Sequence, residues 1–385
     1  MAVSLARTDL TREGASGRQP KYAKLKDYLI AEFTEGRIRP GDALPTEKEM
    51  AKTFQVALGT VRQALAGLEQ EGFIRREQGR GTFVNESMHR KLNNGTETYV
   101  LLAVNSRGVD ASMWRGFESG CKESSHHMIV CNSENDLLLQ GNLILQLLQK
   151  DVAGVAIYPI ASRETPYYQV SPLRERGIPV VMCHRGVDGF ASPVLVVPHQ
   201  EMGRQVGDAL AEQGHRRVAM FSDVPTVHSL DAFTRGMRES LRAQGGELPD
   251  EFVYSGESPS MRPAEREKQI AQSLERIFGD ENPPTAVWCV TSGLAESVYL
   301  LLQGMGLRIP EDISLVGFGD IHRTSALARR ITTSAFDDEE LGRKAFRLLE
   351  EMALGNRALD DTERIEMPVC LLEGETLGPA PCEMM

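Results

Sequence analysis

The sequence has no apolar stretch long enough to cross a membrane, and it has no closely spaced pair of cysteines. No run in the 385 residues approaches the roughly 20 apolar residues that a membrane-spanning helix needs. Arg7 and Arg12 are not followed by a continuous apolar segment, which argues against a secretory signal. The six cysteines are dispersed without a C-x-x-C pair, which argues against a disulfide framework or a structural zinc site. We therefore expect a protein of the reducing cytoplasm.

The motifs of several enzyme classes are also missing. The eight histidines are scattered, and the adjacent His126 and His127 lack the i, i+4 spacing of a metal-binding pair on a helix. The sequence contains no G-x-S-x-G nucleophile elbow and no G-x-x-x-x-G-K-[ST] phosphate loop. We therefore expect no catalytic residue, no cofactor and no metal site.

Charge is distributed unevenly along the chain. The net charge is −11, but residues 1–91 hold 16 Lys and Arg against 12 Asp and Glu, whereas the remaining residues hold 27 against 42. A basic N-terminal part followed by an acidic remainder is typical of a protein whose N-terminal part binds the phosphates of a nucleic acid. A chain of 385 residues is expected to form two or three domains.

The N-terminal part contains three amphipathic segments followed by a glycine-rich hairpin. Residues 1–19 are polar and are expected to form a flexible arm, and residues 20–84 the first folded domain. A stripe of apolar residues predicts a first helix over 21–35. Thr46-Glu47-Lys48-Glu49 has the form of a capping box and predicts a second helix through Phe54. A third helix is predicted from Leu58 to Glu71.

This order of elements is that of a winged helix-turn-helix, in which the last helix lies in the major groove of DNA. Thr60, Arg62 and Gln63 are not needed for the core, and Arg62 is placed to read a guanine. Lys48 is placed for a phosphate, and Arg80 at the hairpin tip for the minor groove or the backbone. The residues predicted to contact DNA are Lys48, Leu58, Gly59, Thr60, Arg62, Gln63, Gln78, Gly79, Arg80 and Gly81.

The segment from Lys21 to Val84 resembles the GntR-family winged helix. That family has a signature of approximately L-P-[ST]-E-x-x-[LM]-A, then V-[ST]-R-x-T-V-R-x-A-L, then G-x-G-T-F-V. The chain matches most of it, but Ala57 and Leu58 stand where the family usually has Ser or Thr followed by Arg. The resemblance implies a DNA-binding regulator. The departure implies an altered preference for DNA sequence, in which Thr60, Arg62 and the hairpin (the wing of this domain) make the specific contacts.

Beyond a polar linker at 85–97, the pattern changes to alternating strands and helices. Nine short apolar segments are separated by amphipathic segments of helical length. This alternation predicts parallel sheets with helical crossovers. Nine strands are too many for one compact sheet of usual size, so two lobes are expected.

Three stretches of this α/β region look like the LacI/GalR-type effector domain, which is similar to periplasmic sugar-binding proteins. They are Gly214–Val218, residues 306–318 and Cys131–Glu134. The resemblance implies an effector-binding and dimerisation domain over 98–378, built from two Rossmann-like lobes, with a tail at 379–385. Lobe 1 is expected to comprise about 98–197 and 321–334, and lobe 2 about 198–320 and 335–378. A GntR-type head on such a domain is typical of arabinose-type repressors.

The ligand cleft implied by this resemblance departs from the family. Phe233 stands where the family usually has the arginine of R-x-x-G-F, and Thr291 and Ser292 replace an N-D pair. Trp114 and Phe233 could stack on a sugar or could simply pack in the core. The residues predicted to contact a ligand are Ser106, Trp114, Arg185, Phe233, Thr291 and Asp320. In the alternative, the cleft binds no effector and the domain serves dimerisation or protein contact.

The sequence therefore predicts a multidomain α/β transcriptional regulator, most simply a repressor, rather than an enzyme. Its predicted partners are a double-stranded, pseudo-palindromic DNA operator, a small carbohydrate-like effector and a second copy of the chain. Another GntR-type architecture joins the head to a pyridoxal-phosphate-dependent aminotransferase body. We find no lysine in the motif context that such a body requires, so this alternative has little support.

Overall fold

The computed structural model describes residues 20–34, 37–39, 41–77, 80–85, 97–104, 110–161, 163–222, 229–256, 262–323 and 325–381. The predicted arm at 1–19 and most of the predicted linker lie outside these ranges. The chain divides into two compact units, residues 1–97 and residues 98–385. No helix within the described ranges is long and apolar enough to cross a lipid bilayer.

The first unit consists of three helices and a two-stranded antiparallel hairpin. Its elements are α1 (Lys21–Thr34), α2 (Glu47–Phe54), α3 (Leu58–Gln70), β1 (Ile74–Glu77) and β2 (Gly81–Val84). Leu25, Leu29 and Phe33 of α1 are buried in one core with Val61 and Leu65 of α3. The predicted winged helix-turn-helix is thus confirmed, with helix ends that differ from the prediction by one residue.

The predicted capping box fixes the start of α2. The backbone N–H of Glu49 donates to the Thr46 hydroxyl over 3.3 Å, and the Thr46 N–H donates to the Glu49 carboxylate over 2.7 Å. Hydrogen bonds from the hydroxyl and from the backbone N–H of Thr46 lower the pKa of the Glu49 carboxyl group. Gln55 ends the helix with a left-handed backbone conformation at φ 53°. The tight turn between α2 and α3 therefore follows from local signals in the sequence.

The second unit contains two six-stranded sheets covered by helices. The first sheet has the order β13-β7-β6-β5-β3-β4 and the second the order β14-β12-β11-β10-β8-β9. The strands are β3 (Thr98–Ala103), β4 (His127–Asn132), β5 (Gly154–Ile157), β6 (Val180–His184), β7 (Val194–Val196), β8 (Val218–Ser222), β9 (Val253–Ser255), β10 (Ala286–Cys289), β11 (Ser314–Asp320), β12 (Thr332–Phe336), β13 (Arg364–Glu366) and β14 (Val369–Leu372). The helices are α4 (Asp110–Glu123), α5 (Leu137–Leu147), α6 (Tyr167–Glu175), α7 (His199–Glu212), α8 (Ser229–Ala243), α9 (Pro263–Phe278), α10 (Ser292–Gly304), α11 (Ala326–Arg330) and α12 (Asp338–Ala353), and a short 3₁₀ helix covers Asp250–Phe252.

Almost all strand pairs of this unit are parallel, as the alternation of strands and helices predicts. The pair β12 and β14 is antiparallel. The two sheets confirm the predicted two-lobed α/β architecture.

The predicted assignment of residues beyond 320 to the lobes is wrong. We expected 321–334 in lobe 1 and 335–378 in lobe 2. Instead, β12 pairs with β11 in the second sheet, whereas α12 packs on α4 and β13 pairs with β7 in the first lobe. The chain then returns to the second sheet with β14. The reason is that α12 buries its apolar face, including Leu341 and Phe346, against the helix and strands of the first lobe.

In each lobe, two helices touch backbone to backbone at glycine residues. In the first lobe, a Cβ atom on Gly116 of α4 would overlap the carbonyl of Glu339, and one on Gly342 of α12 would overlap the carbonyl of Met113. In the second lobe, Gly203 of α7 and Gly236 of α8 form an equivalent crossing. A side chain at any of these positions would force the helices apart.

We predict that Gly236→Ala destabilises the second unit by about 1–3 kcal/mol, because the added methyl group would overlap the carbonyl of Gln200. Gly304→Ala is the matched control, since Gly304 is helical and has nothing within 4 Å of a built Cβ. It should be neutral or stabilising by up to about 1 kcal/mol. Urea unfolding followed by tryptophan fluorescence measures this unit alone, because both tryptophans, Trp114 and Trp288, belong to it. Equal effects of the two substitutions would contradict the prediction.

Candidate functional site

The first unit presents the start of α3 as a polar, accessible surface. Val61, Ala64, Leu65 and Leu68 of this helix are buried. Lys48, Gly59, Arg62 and Gln63 are exposed, Leu58 and Thr60 are half-buried, and Arg80 and Gly81 are exposed at the hairpin. The other two predicted DNA contacts, Gln78 and Gly79, lie outside the described residues. The side of α3 that faces away from the core therefore carries the residues that the sequence predicts to read DNA.

The arginines on this surface are paired with carboxylates of the same unit. The Arg62 Nε lies 2.8 Å from Glu47 Oε2, although the Arg62 side chain remains 63% exposed. Arg80 pairs with Glu77 at 2.7 Å, and Arg76, which the sequence analysis missed, pairs with Glu69 at 3.2 Å. Exposed pairs of this kind contribute about 0–1 kcal/mol each. These arginines can therefore exchange a carboxylate for a phosphate or a base at small cost.

The departure from the family pattern at Ala57 has a visible structural consequence. Ala57 is the N-cap residue of α3 and makes no side-chain hydrogen bond to the first turn. Its backbone is extended, with φ −64° and ψ 146°, which is the conformation from which a Ser or Thr side chain caps a helix. The recognition helix thus begins with backbone N–H groups that a hydroxyl would otherwise satisfy.

The predicted ligand residues of the second unit lie on both lobes. Trp114 is on α4 and Arg185 follows β6 in the first lobe. Phe233 on α8, Thr291 before α10 and Asp320 at the end of β11 belong to the second. Ser106 lies outside the described residues.

Phe233 packs within an aromatic cluster and is only 4% exposed. Its ring centroid lies 5.1 Å from that of Trp288 and 5.5 Å from that of Phe318, both edge to face. Phe318 in turn lies 5.9 Å from Phe336, which lies 5.6 Å from His184. This favours core packing over sugar stacking for Phe233.

Arg185 borders two cavities. One, of about 520 Å³, is lined by residues of both lobes, among them His184 and Arg185 on one side and Arg204 and Glu239 on the other. The other, of about 480 Å³, lies in the first lobe. The Arg185 guanidinium donates to the carbonyl of Pro159 over 2.6 Å and lies 5.4 Å from the Tyr158 ring centre. Both cavities are of the size that small-molecule sites occupy.

Buried titratable groups surround the space between the lobes. Burial, and secondarily the charge of Arg185, lowers the pKa of His184 to about 3. Burial also lowers the pKa of His199 to about 3, and burial together with the charge of Asp320 raises the pKa of Asp338. His184 Nε2 and Asp338 Oδ1 lie 3.4 Å apart, and His184 stacks on Tyr158 at 3.9 Å. His184 and His199 are thus neutral at neutral pH. Their scattered positions in the sequence give no sign that they are buried near one another.

Several polar atoms in this region lack hydrogen-bond partners among the described residues, and three of them bear on the predicted ligand site. They are the indole Nε1 of Trp114, Oδ2 of Asp320 and Oδ1 of Asp338. Two of the residues, Trp114 and Asp320, were predicted ligand contacts. Thr291 caps α10 with its backbone and makes no side-chain capping bond.

Two protein-family models match parts of the chain, one in each unit. Residues 21–84 match the model described as bacterial regulatory proteins, gntR family. Residues 208–377 match the model of the periplasmic binding protein-like domain. These matches agree with both resemblances inferred from the sequence.

Curated relatives share this architecture over most of their length. The chain is 28% identical over 349 residues to the arabinose metabolism transcriptional repressor of Geobacillus stearothermophilus, covering 89% of this chain and 93% of that protein. It is 24% identical over 347 residues to the HTH-type transcriptional repressor PurR of Pectobacterium carotovorum, covering 88% of this chain and 98% of the relative. Both are named as transcriptional repressors and not as enzymes, which confirms the prediction of a regulator.

A solved structure confirms the fold. The transcriptional regulator CelR in complex with cellobiose superposes with a TM-score of 0.61 at 21% identity, covering 86% of this chain and 100% of that one.

We predict that Ala57→Ser stabilises α3 by about 1 kcal/mol, because the serine hydroxyl can cap the first turn. Hydrogen exchange of the α3 amides should then slow by about fivefold. Ala66→Ser is the matched control, since Ala66 is exposed within the same helix and a hydroxyl there gains no cap. An unchanged exchange rate in Ala57→Ser would show that the helix start is satisfied in another way.

Proposed function

We propose, on the premise that residues 21–84 are a GntR-family DNA-binding domain and residues 208–377 part of a periplasmic-binding-protein-like domain, that the chain is a ligand-controlled transcriptional repressor. The observation that carries this proposal is the start of α3, where Arg62 and Gln63 are exposed beside the buried Val61 and Ala64. Such a regulator acts in the cytoplasm, where its operator is found.

On DNA, α3 lies in the major groove and the hairpin follows the adjacent backbone or minor groove. Arg62 leaves Glu47 and donates two hydrogen bonds to a guanine, while Thr60 and Gln63 contact neighbouring base edges. Lys48 and Arg80 contact phosphates. Gly59 at the start of α3 and Gly81 at the hairpin have no side chain and allow the backbone to approach the DNA, and Leu58 begins the helix beside them.

Two chains bind one pseudo-palindromic operator in this proposal. The first lobe offers a surface suited to a second copy of the chain. Its edge strand β4 exposes Ile129 and Val130, and α5, which follows it, exposes Leu138 and Leu145. Exposed apolar side chains on an edge strand favour association with another protein surface.

The effector proposed for the second unit is a small carbohydrate-like molecule held between the lobes. The cavity of about 520 Å³ joins both lobes, and Arg185 and Arg204 line it as hydrogen-bond donors. Trp114, Asp320 and Thr291 are not among the residues that line this cavity, and we propose them as further contacts. The indole N–H of Trp114 and Oδ2 of Asp320 have no hydrogen-bond partner among the described residues. A ligand that binds one arrangement of the lobes better than another shifts their equilibrium, with typical couplings of about 1–3 kcal/mol.

The DNA-binding step is tested on an operator selected from a random DNA library. Arg62→Ala should weaken binding by about 5- to 150-fold, that is by about 1–3 kcal/mol, and relax the preference at one base pair. Arg242→Ala is the matched control, since Arg242 is an exposed arginine of the second unit, and it should bind as the wild type does. We expect two chains per operator and a steep loss of affinity with salt. Unchanged affinity and selectivity of Arg62→Ala would refute the assigned role of α3.

The effector is tested by thermal unfolding against sugars, sugar acids and nucleosides. A true ligand at 100 times its dissociation constant should add about 2.7 kcal/mol to the free energy of unfolding. The shift should be smaller in Arg185→Ala and unchanged in Arg242→Ala, and the same compound should alter operator binding. A panel without any stabilising compound would favour the alternative that the domain serves only dimerisation or protein contact. That alternative is supported by Phe233, whose ring is buried among other aromatic rings and so is not available to stack on a sugar.

A further inference from the structure

Three potential metal ligands converge where two neighbouring parallel strands end. Asp320 is the last residue of β11 and lies opposite Phe336, the last residue of β12. His322 follows two residues after Asp320, and Asp337 comes directly after Phe336. One ligand atom from each of Asp320, His322 and Asp337 lies within 4.8 Å of the others.

The carboxylates of this group are already oriented by hydrogen bonds. Asp320 Oδ1 accepts the backbone N–H of His322 over 3.1 Å, and Asp337 Oδ1 accepts the N–H of Glu340 over 2.7 Å. Each carboxylate therefore keeps its second oxygen for another contact. Interactions of this kind fix the ligands of protein metal sites before the ion binds.

One of these oxygens is both buried and unpartnered. Asp320 is 8% exposed, and its Oδ2 has no hydrogen-bond partner among the described residues. A buried carboxylate oxygen without a donor is unfavourable unless a cation or donor meets it. The side chains of His322 and Asp337 are 48% and 36% exposed, so an ion can reach the group from solvent.

We propose that Asp320, His322 and Asp337 bind one divalent cation of the zinc class. One imidazole nitrogen and two carboxylate oxygens suit Zn²⁺, whereas Mg²⁺ and Ca²⁺ prefer all-oxygen sites. Three protein ligands leave a fourth position for water or another small molecule. Binding requires ligand atoms about 2.0–2.2 Å from the ion, and the exposed His322 and Asp337 can rotate to reach it.

The position of this site gives the ion a structural consequence. Asp337 lies between β12 of the second lobe and α12 of the first, so it belongs to a connection between the lobes. A cation held there joins the end of β11 to that connection. The ion should therefore stabilise the second unit against unfolding.

The test is equilibrium dialysis of Zn²⁺ with the full-length chain, freed of any affinity tag and treated with chelator. We expect one tightly bound zinc per chain and a rise in the thermal midpoint of unfolding. His322→Gln and Asp337→Asn should each lower the zinc affinity at least tenfold and remove most of the thermal shift. His127→Gln is the matched control, since His127 is an exposed histidine on β4, and it should retain full binding.

Asp320→Asn tests the buried ligand in the same dialysis and should likewise lower the zinc affinity. Circular dichroism establishes that each variant is folded. Absence of tight zinc binding to the wild-type chain would overturn the proposal. Binding that survives in His322→Gln and Asp337→Asn would overturn it equally, because the zinc would then be held elsewhere. Both readouts use neither DNA nor an effector. Asp320 is also a proposed effector contact, so the zinc measurements are made without sugars, and their failure leaves the proposed role of α3 in DNA binding untouched.

Discussion

Contact between helix backbones at glycine residues is the constraint on which the architecture of the second unit depends. Gly116 and Gly342 bring α4 against α12, although these helices are separated by most of the domain sequence. Since α12 must lie in the first lobe, the chain has to leave the second sheet directly after Phe336. That departure places Asp337 and Asp338 between the lobes. The equivalent contact of Gly203 with α8 positions Phe233 in the aromatic cluster.

Aromatic rings and buried titratable groups lie between the two sheets. Phe233, Phe318 and Phe336 form a chain of ring contacts that ends at His184. Charged groups would be costly here, and the lowered pKa of His184 and the raised pKa of Asp338 are the response to that cost. Movement of the lobes would expose apolar rings to water. A ligand that drives such movement must therefore supply differential binding energy.

The elements that sequence could predict are those whose signals lie within a few residues of one another. The capping box at Thr46, the apolar stripe of α1 and the glycines of the hairpin act locally, and the first unit follows from them. The strand Thr332–Phe336 is rich in hydroxyl groups yet fully buried, and Arg364–Glu366 is charged and mostly exposed. Neither has the apolar alternation of a strand, so their pairing depends on distant partners. For the same reason, the contact between His184 and Asp338 and the convergence of Asp320 with Asp337 had no local signature.

In the proposed complex with DNA, selectivity depends on a competition between two partners, a carboxylate and a base, for the same arginine. Arg62 already has a carboxylate partner in Glu47, and an exposed pair of that kind is worth at most about 1 kcal/mol. A guanine that accepts two hydrogen bonds is worth about 1–3 kcal/mol of discrimination, so the exchange is favourable on the right base pair. On a wrong base pair, Arg62 can keep its ion pair with Glu47. Because Ala57 and Leu58 supply neither a side-chain cap nor a second arginine, the proposal gives this exchange a larger share of the recognition than the family pattern implies.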